Sequence, residues 1–230
     1  MNRSLFLGAG AALVCGAAAC AGSSAGTIGG IETAAQFNGA AFARAVDKPA
    51  DIRLAFDASQ LYAPLLGAVM NALNGYQFGY AIKPERIALA VVAHGAANVL
   101  LYDDAAWAKY NLGATFGVKD PSGTTITSNI FAPPDATFTM TDDPNDPHGS
   151  YHRAFIGSLQ TRGVVFTVCN TALWEQAQTI AASAPGDSVE TIAQFLRSHL
   201  VPGAILVPSG ISTIGLLQYR YHYAYATEVA

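Results

Sequence analysis

Two side chains in this sequence stand where chemistry is easy, Cys169 and His94. Cys169 closes the run Val164-Val165-Phe166-Thr167-Val168-Cys169, and Asn170-Thr171-Ala172-Leu173 follows it. That order reads as an apolar strand, a sharp polar turn and a helix. The amino end of a helix presents free N–H groups and a partial positive charge, and both favour thiolate over thiol. A cysteine there is a candidate nucleophile; the alternative is a small, inert core residue. His94 ends a second apolar run, Ile87-Ala88-Leu89-Ala90-Val91-Val92-Ala93. If the two strands are neighbours, His94 lies near Cys169 and can stabilise a thiolate or shuttle a proton. The alternative is a ring that simply bonds to loop backbone.

Other constellations carry less. His148 and His152 are four apart, with Asp142, Asp143 and Asp146 close by in sequence. One helical turn would let the histidines share a metal. Gly149 and Ser150 lie between them, and the aspartates alternate with prolines in a spacing unlike a calcium loop. A solvated loop is the expected reading. No Ser-His-Asp order, G-x-S-x-G, P-loop or G-x-G-x-x-G is evident, so neither a cofactor nor a metal is expected. Trp107, Lys109, Tyr110, Tyr219, Tyr221, Tyr223 and Tyr225 read as packing or subunit contacts.

The elements that must position these residues alternate along the chain. Ile52 to Phe56 suits a first strand, and Leu61, Leu65, Leu66, Val69 and Leu73 fall at helical spacing until Asn74-Gly75. The unbroken run from Ile87 suits a strand buried on both faces, as in a parallel sheet. Residues 98 to 110 read as a helix. Between Gly113 and Gly149, Pro, Thr, Asp and Gly dominate, which marks a long insertion rather than a second domain. Helix 150–161, strand 164–168 and helix 171–182 follow. Asp187 and Glu190 have the spacing of a capping box for a helix ending near His199. Ala204 to Val207 is a strand closed by Pro208, Ser209 caps a last helix to about Arg220, and an edge strand lies within 223–229. Such alternation gives an α/β domain with a mostly parallel sheet, and ligands gather at the carboxyl ends of its strands. His94 and Cys169 share that edge.

Residues 1–21 have the order of a secretory signal peptide. A polar start with Arg3 is followed by an apolar stretch to Val14 and then by small residues up to Gly22; a membrane anchor is the alternative. Ala17-x-Ala19 fits a signal-peptidase site. Ala17-Ala18-Ala19-Cys20 resembles a bacterial lipobox with Ala where Leu is usual, so a lipid on Cys20 is the second reading, and an exported, cleaved chain would meet a membrane only through that lipid. Residues 22–48 read as a linker with a short helix near Ala40, and residues 49–230 as the domain. Export would leave Cys169 alone, or with Cys20, among three cysteines, so disulfides are not expected to hold the fold. At 51% hydrophobic and 12% charged residues, the chain can build one large core. A net charge of −4 gives no basic footprint for nucleic acid. The low charge also hints at apolar surface buried between subunits.

Three segments together resemble the DsrE/DsrF-like family. They are Val164-Val165-Phe166-Thr167-Val168-Cys169-Asn170-Thr171, then Val201-Pro202-Gly203-Ala204-Ile205-Leu206-Val207-Pro208-Ser209-Gly210, then Leu217-Gln218-Tyr219 with the aromatic tail to Tyr225. The strand ending in His94-Gly95 looks like the family's second strand. The likeness spans most of 49–230 and is strongest from Tyr151 onward. It implies a three-layer α/β/α sandwich, flavodoxin-like in appearance, with a five-stranded parallel sheet. It also implies a homo-oligomer, a trimer or hexamer. Members in sulfur oxidation and transfer-RNA thiolation carry sulfur as a persulfide, and Cys169 matches the cysteine that holds it. The insertion at about 113–149 and the export signal depart from the small cytoplasmic members. The expectation is therefore a periplasmic or secreted sulfur carrier that uses Cys169, assisted by His94, and passes sulfur to a thiol-bearing protein. The alternative is a non-catalytic oligomeric binding protein of the cell envelope with Cys169 buried.

Overall fold

The structure is a computed structural model that describes residues 36–227 except 62, 63, 121, 135, 142, 184 and 185. The expected signal peptide, the lipobox cysteine and most of the expected linker lie outside the described residues.

Five parallel strands form one sheet: β1 (Ile52–Ala58), β2 (Ile87–Ala93), β3 (Val165–Cys169), β4 (Ile205–Val207) and β5 (Ala224–Thr227), side by side as β4-β3-β2-β1-β5. Around it the described residues form helices α1 (Gly39–Val46), α2 (Pro64–Asn74), α3 (Asp104–Tyr110), α4 (Leu112–Thr115), α5 (Ile156–Thr161), α6 (Asn170–Ser183), α7 (Val189–Ser198) and α8 (Gly210–Tyr221). The result is a three-layer α/β/α sandwich.

Chain direction decides which helix covers which face. From β1 to β4 each step moves the same way across the sheet, and right-handed crossovers then put every connecting helix on one side. Leu89, Val91 and Ala93 of β2 accordingly pack with Phe56, Phe166 and Val168 beneath α2, α5, α6 and α7. The last connection jumps back over the sheet to β5, so α8 must lie on the other side. There Ile214 and Leu217 of α8 meet Ala55, Ala88, Ala90 and Val92. Small side chains on that face let the helix lie close to the strands. All seven residues of β2 are buried, as its unbroken apolar run requires.

Several elements differ from the sequence expectation. The stretch read as linker is structural from Gly39: Phe42 and Val46 of α1 are buried against the second face, and Phe42 meets the Tyr221 ring edge-on. The helix expected over 98–110 is split. Residues 95–101 form a tighter 3-10 coil, and α3 starts anew behind Asp103, whose carboxylate accepts from Ala106 N–H at 3.0 Å. The helix expected from residue 150 is likewise a 3-10 turn over Ser150–His152 followed by α5. The cap of α7 is Ser188, not Asp187, because the Asp187 carboxylate is taken by Lys109 and by the Tyr110 hydroxyl, each at 3.1 Å. Past Asn74 the coil runs on as a π turn to Gly79. Ser209 caps α8 as expected.

If α1 belongs to the core, Phe42→Ala should cost about 3–5 kcal/mol in urea unfolding, as expected for a buried aromatic cut back to a methyl. A cost near that of a surface change would show that α1 is not packed.

Candidate functional site at the carboxyl edge of the sheet

β1, β2 and β3 run in register, with Ala58 opposite Ala93 and Ala93 opposite Val168. The next residues along β2 and β3 are His94 and Cys169, so both reach the carboxyl edge on adjacent strands. The pairing persists one step past β2, where His94 N–H donates to Ala58 O at 2.9 Å.

Cys169 is the last residue of β3, and α6 begins at once with Asn170. Its Sγ accepts from the Ala172 N–H at 3.4 Å. Sulfur thus fills the place an oxygen normally takes at a helix start, three residues before the N–H it caps. The backbone of Cys169 is held as tightly. The Asn98 side chain donates from Nδ2 to Cys169 O at 2.8 Å and accepts at Oδ1 from Cys169 N–H at 3.0 Å. Asn98 is wholly buried, so this amide satisfies two polar groups at a strand end that water cannot reach.

A second buried link fixes the same turn. Gln176 of α6 donates to Gly95 O at 2.8 Å and accepts from the Tyr102 hydroxyl at 2.6 Å. Burial pushes the Tyr102 phenol well above its ordinary range, so it remains a donor. The 3-10 coil after β2 and the start of α6 therefore move as one piece.

His94 is held differently. Its Nε2 lies 2.6 Å from Asp57 Oδ1, and Asp57 Oδ2 accepts from the Tyr225 hydroxyl at 2.7 Å. The chain Tyr225–Asp57–His94 thus crosses β5, β1 and the end of β2. The bond to Asp57 raises the Tyr225 phenol above its ordinary range. The imidazole meets a carboxylate here, so the expectation of a bond to loop backbone is corrected. Gly210, at the start of α8, lies against the histidine: a Cβ there would come within 2.6 Å of His94 Cβ. Gly95 has φ +53°, and a Cβ on it would meet Ser59 O at 2.9 Å, so the turn after His94 needs glycine as well.

α6 leaves β3 on one face of the sheet and α8 leaves β4 on the other. Ligands in open α/β sheets gather at the carboxyl ends of the strands. Cys169 is only 4% exposed, whereas the His94 side chain is 15% exposed. No hydrogen bond joins them among the described residues; the fold brings them to one edge.

Among the described residues no three His, Cys, Asp or Glu side chains gather as a metal site. His152 Nε2 lies 3.2 Å from Pro144 O. Trp107 is buried and donates to Val99 O at 3.2 Å. Tyr221 and Tyr223 are buried, while Tyr219 stands almost fully exposed. The sequence reading missed Asp57 and Asn98. Asp57 was legible as the next residue of a strand reaching the same edge, but nothing near Asn98 marks it as the partner of a residue 71 positions away.

No family model matches this chain, and no curated protein matches it. Among solved structures, a protein of unknown function from Methanobacterium thermoautotrophicum is similar, at 15% identity and a TM-score of 0.40, over 77% of this chain and 100% of its own. That degree of likeness assigns neither a family nor an activity.

Asn98→Ala should destabilise the fold by about 2–4 kcal/mol in urea unfolding, since it strands two buried backbone groups; a loss under about 0.5 kcal/mol would show that the clamp carries no weight. In ultraviolet difference titration against Tyr225→Phe, the Tyr225 phenol should ionise above the ordinary tyrosine range and fall back toward it in Asp57→Asn. Its folded value is the raised one. The stabilisation from this bond is therefore complete below the ordinary phenol range and is lost as pH climbs through the raised value.

Proposed function

We propose that this chain is an exported DsrE-like sulfur carrier, a homo-oligomer that holds sulfane sulfur on Cys169. The observation that carries the reading is the contact between Cys169 Sγ and the Ala172 N–H at the head of α6. A helix start that already directs an N–H at sulfur is suited to hold an anionic sulfur there. Its place at the carboxyl edge of the sheet supports the same reading, as does His94 on the neighbouring strand.

The chemistry is an exchange. The Cys169 thiolate attacks the outer sulfur of a persulfide or polysulfide, R–S–SH. A new S–S bond forms on Cys169 as the donor S–S bond breaks, and R–SH departs. His94, oriented by Asp57, takes the thiol proton through an intervening water and returns a proton to the leaving sulfur. The acceptor is the thiol of another protein, which attacks the stored outer sulfur and restores the thiol.

The burial of Cys169 favours a second reading, a non-catalytic envelope binding protein in which the sulfur serves only as a helix cap. Treatment of the mature protein with polysulfide, followed by intact mass measurement, separates the two. Sulfur transfer predicts an increment of one sulfur mass that dithiothreitol removes and Cys169→Ala abolishes. His94→Gln should slow its formation on the order of 100-fold. Absence of the adduct, together with no alkylation of Cys169 unless denaturant is added, would overturn sulfur transfer and leave the second reading.

A further inference from the structure

A cavity of about 460 Å³ lies at the opposite edge of the sheet from Cys169. Its walls include Ile87, the first residue of β2, Gly163 just ahead of β3, Lys48 ahead of β1, and Arg162 at the end of α5. Met140 and Thr141 of the insertion close another side.

Two cations face this space with few partners. Arg162 donates from Nη2 to Gln77 Oε1 at 3.3 Å, while its Nη1 is buried with no hydrogen-bond partner. Lys48 donates to Gly163 O at 3.1 Å and makes no ion pair among the described residues. Burial pushes the Arg162 guanidinium down to about 10. It also lowers the Lys48 ammonium, and Arg53 adds to that shift. Both cations are half-buried, and a cation partly withdrawn from water without a counter-charge carries a cost. Among the described residues Glu85 is the one carboxylate on the wall, and it is exposed. The lining therefore carries an excess of one positive charge.

We propose that this cavity binds a small organic carboxylate. Its two oxygens accept from the Arg162 guanidinium and from Lys48, and its apolar portion lies on Leu73, Ile87 and Met140. The planar guanidinium suits a carboxylate. An excess of one charge suits a monoanion better than a phosphate dianion. The volume falls in the range of small-molecule sites, and the mixed lining calls for an anionic head with an apolar body.

Thermal unfolding and calorimetric titration with hexanoate and benzoate test the proposal, with hexanol, hexylamine and inorganic phosphate as controls. Both carboxylates should bind and raise the melting temperature, as a ligand selective for the folded state must. Hexanol should bind at least about tenfold more weakly, and hexylamine and phosphate should not bind. Arg162→Gln should lower carboxylate affinity about tenfold or more, and Lys48→Gln should lower it by less. Lys48→Gln decides the matter if Arg162→Gln does not fold. Cys169→Ala should leave binding unchanged, because this site is independent of the thiol edge. No carboxylate binding at about 10 mM, binding that both charge variants retain in full, or a preference for phosphate would each overturn the proposal.

Discussion

A strand in the middle of a parallel sheet has two faces and no water on either. β2 meets that condition along its whole length, and it can do so only while helices lie above and below it. The rest of the molecule answers this demand. Three connections that step in one direction stack α2, α5, α6 and α7 on the first face. The single return over the sheet supplies α8 for the second, and α1 completes that layer. Because both faces are filled with side chains, the polar business of the protein is forced to the two ends of the strands.

At the carboxyl end the constraint is one of hydrogen bonds. Strands that stop inside a protein leave backbone groups that need partners. Asn98 supplies them for Cys169, and the Gln176–Tyr102 pair ties the neighbouring turn to α6. The same end carries Tyr225, Asp57 and His94 in one hydrogen-bonded line. The rigid partners of Cys169 and the partly exposed partners of His94 thus differ in kind. One set buries and fixes a sulfur, and the other presents an imidazole toward solvent. At the amino end the situation is reversed, with charge left short of partners around a cavity.

The sheet was readable from the sequence because its signals are local. The apolar run of β2, the run before Cys169 and the Ser209 cap need only their immediate neighbours to be recognised. The α/β sandwich followed from their alternation. What stayed hidden depends on distant partners. Asp187 has the spacing of a cap, yet Lys109, 78 residues earlier, draws its carboxylate away and leaves Ser188 to cap α7. Residues 95–101 look helical by composition, but the buried bonds of Asn98 to Cys169 accompany a tighter coil. The stretch around α1 has weak periodicity, and its role depends on Tyr221 and Tyr223 at the far end of the chain. Cys169 and His94 could be placed on one edge, since strand ends are local. The burial of the sulfur could not be read, since it depends on how the helices pack over the strand end.

The Tyr223 hydroxyl donates to Val46 O at 2.8 Å, which ties α1 to the segment just ahead of β5 across 177 positions. The order of the elements along the chain then bears on synthesis. The first face of the sheet can be roofed as the polypeptide emerges, because its helices fall between the strands they cover. The second face waits. Its apolar alanines and valines have only α1 above them until the residues of α8 and Tyr223 have left the ribosome. A nascent chain halted before that point would carry a bare, flat, sticky surface and an unpaired outer side of β1, which are features that chaperones bind and that promote aggregation.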